Sequence, residues 1–473
     1  MRRIALICGA IFIGAAALVG AMMSASAASP STITHMIAWG KNGWGQLGDG
    51  SVTNRSIPVD VASSGVLSTK TVSSVSAGGN HSCAIADGRA YCWGYNASGQ
   101  LGDGSTTYSL VPVAVDTAGV LQGLTVTAIS AGANHTCAVA GGNAFCWGEN
   151  ASGQLGNGAT TSSAVPVAVD RNSGLSGGTV SQLDTGQSHS CAVANSSVFC
   201  WGANASGQLG DGTAVVSAVP VKAEGALRGL QVSTVSAGQN HSCAIAVGAA
   251  YCWGGNGVGK VGDGTTTNRL TPTAVSTSGL LAGKNVSSIS AGHVDTCAVA
   301  DGSAFCWGSN TYGTLGNGTT QSSSTPVAVY SQGNLAGKSV TAISAAVDHT
   351  CAIASGSLYC WGYNLYGYLG VGTTAAWNVP VTVYLGGDLA DGTATSLSNS
   401  YDHVLALVST PTVPKLGISA TKLTFSSAMV GTKLESKTVS LTSIGNADVA
   451  VSSVNLSLSA SGLENFVIKT DTC

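Results

Sequence analysis

From Met36 to Val408 the chain is written in short runs whose apolar and polar residues alternate with period two. Val72 to Gly78, HSCAIA from His81, AYCWG from Ala90 and a P-V-x-V stretch at Pro112 to Val115 show the pattern, with Gly, Asn, Asp and Ser between them. Such alternation over four to eight residues predicts a β-strand with one face against a core. No run keeps the i, i+3, i+4 spacing of a helix over eleven or more residues. The four runs recur as a set. A Trp-Gly pair marks each copy, at Trp39, Trp93, Trp147, Trp201, Trp253, Trp307 and Trp361, with spacings of 54, 54, 54, 52, 54 and 54 residues. Four short strands per copy predict a four-stranded antiparallel blade. Seven blades predict an all-β, seven-bladed β-propeller, because a ring leaves few strand edges unpaired.

The ends of the repeat region support closure. Met36 to Gly40 has no hairpin partner before it, and Tyr401 to Leu407 has none after it. His403 follows His349 by 54 residues, in phase with the repeat. One composite blade is therefore expected to take two strands from the C-terminal end and two, Met36 to Gly40 and Ile57 to Val61, from the N-terminal end.

Twelve of the fourteen cysteines form six C-x8-C pairs: Cys83/Cys92, Cys137/Cys146, Cys191/Cys200, Cys243/Cys252, Cys297/Cys306 and Cys351/Cys360. The midpoint of the first is Asp87-Gly88, a two-residue hairpin turn. Counting back from it puts Cys83 opposite Cys92 at a non-hydrogen-bonded position, about 4.5 Å apart at Cα, which suits a disulfide. Leu405 and Ala38 hold the equivalent places in the composite blade, so both partners lack the thiol together. Zinc is the lesser reading, since thiolate ligands usually stand as C-x2-4-C with further ligands nearby.

Charge narrows the function. Lys and Arg number 18, Asp and Glu 21, or 8% of the chain, against about 25% in an ordinary domain. Without a basic stripe there is nothing to meet nucleic-acid phosphate. The N-terminus reads as a signal peptide over residues 1–27: Arg2-Arg3, an apolar stretch from Ile4 to Met23, and Ala25-Ser26-Ala27 as the cleavage site. An uncleaved anchor is the alternative. No later segment is long enough to span a membrane, so a secreted or cell-surface protein is expected, in keeping with disulfides.

The stretch G-x-N-x-x-G-Q-L-G at Gly40 to Gly48, Gly94 to Gly102, Gly148 to Gly156 and Gly202 to Gly210 resembles the signature of the regulator of chromosome condensation repeat family. So does S-A-G-x-x-H at Ser76 to His81, Ser130 to His135 and Ser236 to His241. The resemblance implies a seven-bladed propeller over residues 28–408. Its founding member is a nuclear guanine-nucleotide exchange factor, and another member is a secreted bacterial β-lactamase inhibitor, so the fold leaves function open. The signal peptide and the cysteine pairs depart from the intracellular members. After a linker at 409–415, residues 416–473 alternate again and resemble the start of an abnormal-spindle/Hydin-type immunoglobulin-like domain, a truncated β-sandwich.

No catalytic motif, metal set or cofactor fingerprint stands out. His81, His135, His189, His241, His349 and His403 form a column, with Asp295 in the remaining repeat. One identical role per blade reads as structural, each ring bonding the backbone of a neighbouring loop. Asp49, Asp103 and their counterparts read as turn residues tolerant of positive φ. Five residues after each Trp the repeats read Trp44, Ser98, Ser152, Ser206, Val258, Tyr312 and Tyr366. The aromatics are neighbours in a closed ring. Trp44, Tyr312, Tyr366 and Tyr368, with Tyr363 and Trp377, are therefore the expected ligand patch of a non-catalytic module that binds an unknown protein or glycan. Nucleotide exchange, or inhibition of an extracellular hydrolase, is the alternative carried by the resemblance.

Overall fold

Asp87 and Gly88 both take positive φ, 47° and 71°, the backbone of a tight turn whose twist matches the strands it joins. That turn pairs His81–Ala86 with Arg89–Gly94 and sets Cys83 opposite Cys92. Val72–Ala77 lies on the inner side of this hairpin and Ser109–Ala114 on the outer, which completes a four-stranded antiparallel blade. The computed structural model describes residues 19–25, 32–62, 65–276, 278–411, 416–418, 441–443 and 451–458. Blade 1 is the sheet just built, and blades 2 to 6 repeat it over residues 126–168, 180–222, 232–274, 286–328 and 340–382. Blade 7 joins Thr393–Asn399 and His403–Pro411 to Thr32–Gly40 and Arg55–Asp60, in that order. Thus the ring closes through strands from both ends of the repeat region, as expected.

All six cysteine pairs are bonded: Cys83–Cys92, Cys137–Cys146, Cys191–Cys200, Cys243–Cys252, Cys297–Cys306 and Cys351–Cys360. Their Cα atoms lie 4.0–4.1 Å apart, somewhat closer than the spacing of about 4.5 Å expected for an unbridged pair. Period two sends each disulfide to one face of its blade and the Trp and aromatic of the same hairpin to the other. Seven apolar cores follow, each between two blades. Cys83 and Cys92 of blade 1 pack with Phe145 and Trp147 of blade 2. Cys137 and Cys146 share a core with Trp201, and Cys191 and Cys200 with Trp253. Cys243 and Cys252 share one with Trp307, and Cys297 and Cys306 with Trp361. In blade 7, Ala38 and Leu405 take the disulfide's place beneath Tyr91 and Trp93. Trp93 is fully buried, so Trp93→Ala is expected to cost about 3–5 kcal/mol. Chemical denaturation checks this, and a loss below about 1 kcal/mol would mean the core refills.

A second device stitches the blades around the central channel. The inner strands carry Ser76, Ser130, Asp184, Ser236, Ser290, Ser344 and Ser398 at one level. Each side-chain oxygen accepts a backbone N–H from the following blade: Ser398 from Ala77 at 3.0 Å, Ser76 from Ala131 at 2.9 Å, Ser130 from Thr185 at 3.1 Å. Asp184 takes Ala237, Ser236 takes Ala291, Ser290 takes Ala345 and Ser344 takes Asn399. The seven bonds form an unbroken circle, with the composite blade a full member.

Outside Thr34–Ser409 the chain ends form a separate unit. There Val19–Ala25 pairs antiparallel with Val451–Leu458, and Leu416–Ile418 with Leu441–Ser443. The rest of the segment read as immunoglobulin-like lies outside the described residues, as do residues 1–18, Cys473 and the cleavage site at Ala25-Ser26-Ala27 beyond its first residue. No helix among the described residues is long and apolar enough to cross a membrane.

Candidate functional site

His81 pairs with Gly94 at the ends of their strands. The turn between the first two strands and the loop after each Trp-Gly pair therefore emerge on one face of the ring. Tyr95 N donating to Asn80 O at 2.9 Å ties the two segments together. The disulfides stand apart from this face. Cys83, Cys92, Cys137, Cys146, Cys191, Cys200, Cys243, Cys252, Cys297, Cys306, Cys351 and Cys360 are all fully buried in the cores between blades. They staple the hairpins and present no sulfur to a ligand, and the bonded sulfurs are no longer thiolates for a metal.

Each G-x-N-x-x-G-Q-L-G loop is a wedge against the next blade. Asn96 Oδ1 accepts from Leu101 N at 2.9 Å, and its Nδ2 donates to the Ser105 and Thr107 carbonyls. Leu101 is fully buried. Gln100 O accepts both Trp147 Nε1 and Thr136 Oγ of blade 2 at 2.9 Å. Gly102, at φ +71°, has no side chain because a Cβ there would lie 2.6 Å from Trp147 Nε1. The Asn amide is thus committed and buried, which leaves Asn96, Asn150 and Asn204 no role as glycosylation acceptors. The acidic turn residues are corrected as well. The glycines on either side of Asp49 hold the positive φ, +70° and +80°, while Asp49 accepts from Ser51 N at 3.0 Å and from Arg55 at 2.7 Å.

The histidine column bonds side chains rather than backbone. His81 Nε2 meets Thr136 Oγ1 of the next blade at 2.9 Å. His135, His189 and His241 reach Ser190, Ser242 and Thr296 at the same distance, and His403 reaches Ser82 at 2.7 Å. Each hydroxyl already gives its proton to a loop carbonyl, so it accepts from the ring, and Nε2 carries the hydrogen. Burial holds His81, His135, His189, His349 and His403 down to about 3, and His241 well below its ordinary value. The column breaks between blades 5 and 7. Asp295 stands for His, and burial followed by Asp348 pushes its carboxyl well above the usual range. Val404 stands for the hydroxyl, so His349 has no bond and stacks instead on Tyr368, with ring centroids 4.9 Å apart.

Of the aromatic residues predicted as a ligand patch, Trp44, Tyr312, Tyr366 and Trp377 are exposed by 43%, 45%, 39% and 44%. Tyr368 is a correction: it is 4% exposed. Its position alternates inward, where the other loops bury Gln46, Gln100, Gln154 and Gln208, and its hydroxyl donates to Asp402 at 3.2 Å. Tyr363 is half-buried between Tyr312, at 4.8 Å, and Tyr368, at 6.3 Å. Tyr366 meets the edge of Tyr368 at 5.8 Å and carries Lys41 Nζ 5.7 Å above its ring. Lys41 in turn pairs with Asp402 at 2.7 Å. Trp44 turns the other way, to Tyr95 at 4.8 Å and Tyr108 at 6.2 Å in blade 1. Trp377, on an outer strand, has no ring contact with the rest among the described residues. The structure thus extends the arc through Lys41, Tyr95 and Tyr108. Sequence inspection passed over Tyr95 and Tyr108 because they stand at other phases of the repeat.

Comparison with known proteins agrees with this architecture. Residues 16–298 match the RCC1-like domain, and residues 301–353 and 355–407 match the regulator of chromosome condensation (RCC1) repeat. The ultraviolet-B receptor UVR8 of Arabidopsis thaliana is 32% identical over 340 residues, 70% of this chain and 74% of that protein. The human E3 ubiquitin-protein ligase HERC2 is 31% identical over 67% of this chain, which spans only 6% of HERC2. Among solved structures, yeast RCC1 (Prp20) bound to Kap60 aligns with TM-score 0.69 at 19% identity, covering 82% of this chain and 95% of that one. Human WBSCR16 aligns with TM-score 0.68 at 23% identity over 80% of this chain and 99% of that one. At those identities the two structures speak for the fold alone. With seven blades, a repeat match to residue 407 and a relative matched over most of its length, this chain belongs to the RCC1-like domain family.

Proposed function

We propose that this protein is an exported, non-catalytic binding module that holds a protein or glycan on the loop-bearing face of its propeller. The observation that carries the reading is the run of exposed rings on one arc. Tyr312 and Tyr366 of blades 5 and 6 lead to Lys41 and Trp44 of blade 7, and Trp44 leads to Tyr95 and Tyr108 of blade 1. Blades 1, 2 and 3 keep Ser at the same loop position, at Ser98, Ser152 and Ser206. Rigid aromatic side chains offer large contact area at low entropy cost, which is why they dominate binding hot spots. The disulfides support an oxidising compartment, and the relatives supply precedent for a recognition scaffold.

The test begins with cross-linking capture from the producing cell's own medium and surface, to identify a partner. Its affinity is then measured against the triple variant Trp44→Ser, Tyr312→Ser, Tyr366→Ser. Serine is the residue of the plain blades, so folding should hold. Affinity is expected to fall about a thousandfold, two hot-spot truncations' worth at about 2 kcal/mol each. Unchanged affinity for the identified partner would overturn the arc as the binding surface.

A further inference from the structure

Three departures from the repeat meet where blade 4 adjoins blade 5. The residue after each Trp-Gly pair is Lys41, Tyr95, Glu149, Ala203, Ser309 and Tyr363, but Gly255 in blade 4. Five positions on, Gln46, Gln100, Gln154 and Gln208 give way to Lys260. The histidine column then reads Asp295. Lys260 and Asp295 both adjoin Gly308, where a Cβ would lie 3.3 Å from Lys260 Cβ and 2.7 Å from Asp295 Cα. Gln46 and His81 adjoin Gly94 in the same way, so a Lys–Asp couple stands for a Gln–His couple at this one junction. Lys260 is 4% exposed. Its Nζ donates to Asn240 Oδ1 and, at 2.8 Å, to His293 O. A Cβ on Gly255 would lie 2.8 Å from Cγ, Oδ1 and Nδ2 of Asn240 alike. The Asn240 amide thus lies flat in the space of the missing side chain. In blade 2 the equivalent Asn134 Nδ2 donates to Glu149 at 3.2 Å; Asn240 Nδ2 has no such bond among the described residues.

An amine held against a carboxamide is a reactant pair, because fixed proximity replaces a bimolecular encounter. The amine must first shed its proton. Burial lowers Lys260 to about 8, so roughly a tenth of it is free amine at pH 7. Water must be kept away, and the buried stem of Lys260 does this. An acid must be at hand. Asp295 is 1% exposed, and burial followed by Asp348 keeps the proton on its carboxyl well above the usual range. Lys260 and Asp295 each shift the other's titration, which places them within electrostatic reach. The reaction balances without oxidant or cofactor. Nζ adds to Asn240 Cγ and a new C–N bond forms. The Cγ–Nδ2 bond breaks, one Nζ proton passes to Nδ2, and ammonia leaves. Asn240 is half-buried, so the ammonia has a way out. The product nitrogen keeps one hydrogen, and His293 O already stands where it can accept it.

We propose that Lys260 and Asn240 join in an intramolecular isopeptide bond, formed spontaneously after folding with Asp295 as the assisting acid. The bond ties the loop after Trp253 to the turn that enters the second strand of the same blade. It does not rest on the aromatic arc. The test is the intact mass of the folded, then reduced protein, followed by peptide mapping. The parent is expected to weigh one ammonia less than its sequence. Trypsin should not cut after Lys260, and fragmentation of the peptide holding both residues should give no backbone products between them. Lys260→Gln restores the residue of four other blades, Asn240→Ser that of blade 3 and Asp295→His that of the column, so all three should fold. Lys260→Gln and Asn240→Ser should recover the full sequence mass. Asp295→His should form the bond at least about a hundredfold more slowly, the share a placed acid supplies, and so be isolated mostly at full mass. The proposal is overturned if the folded parent keeps its full mass after days at about pH 9, above the midpoint of the amine. It is equally overturned if the lost ammonia maps to other residues, or if Asp295→His is isolated as fully linked as the parent.

Discussion

Acidified from pH 7, the propeller is expected to unfold cooperatively before about pH 4. Six imidazoles are buried and neutral in the folded state. Five are held at about 3 and His241 well below its ordinary value, against 6.5 when free. The unfolded chain therefore takes up protons that the folded chain refuses. Stability is complete above pH 6.5 and falls as pH drops from there towards 3. Each imidazole removes about 1.4 kcal/mol per pH unit in that window, and six acting together remove roughly 8. A folded domain has roughly 5–15 kcal/mol to lose. Asp295, Asp184 and Asp348 act in the opposite sense, since their carboxyls are raised by burial and gain from acid. They offset a part and leave the imidazoles in the majority. Fluorescence of the seven buried Trp residues follows the transition. Native emission retained at about pH 3.5, or fewer than about two protons taken up on unfolding by the pH dependence of the urea midpoint, would falsify the account.

Deletion of residues 28–61 should abolish the ring rather than trim one blade. Thr32–Gly40 and Arg55–Asp60 are the outer half of blade 7, and they feed two cores. Met36, Ala38, Leu47 and Val61 pack with Tyr91 and Trp93 of blade 1. Ile37 and Trp39 pack with Cys351 and Cys360 of blade 6. Their loss uncovers both flanks of the closing blade and removes Gln46 O, the acceptor for Trp93 and Ser82. The truncated protein is expected to show no cooperative melt at the parent's temperature. A melt within a few degrees of the parent would mean that six and a half blades are self-sufficient.

The architecture was legible because its signals recur. The Trp-Gly phase, the Cys pairs around two-residue turns and the half-copies at each end fixed blade count, disulfide partners and closure. The packing of each disulfide face on the Trp face of the next blade was legible too, from the period-two alternation; what escaped was the polar contact between blades. The hydroxyl that receives each imidazole stands in the same H-[ST]-C triplet, one blade on, and only Val404 breaks the series. The signal was present, but a linear reading shows a neighbour in sequence and not the one across the interface. Tyr368 failed for another reason. Loops lack the fixed period of strands, so two residues apart did not mean the same side, and the Gln46 position turned out to supply a buried carbonyl.

Each disulfide joins residues nine apart, whereas blade 7 joins residues more than 360 apart. Twelve thiols can pair in roughly ten thousand ways, yet here each of the twelve finds its mate within its own hairpin, with no need of the closing strands. The covalent map is consequently blind to topology. Two copies that exchanged their N-terminal strands would carry the same bridges and the same closing hydrogen bonds, with the hinge in the chain between Asp60 and Val72. Peptide mapping would score such a swapped dimer as correctly oxidised, and only its mass in solution would reveal it.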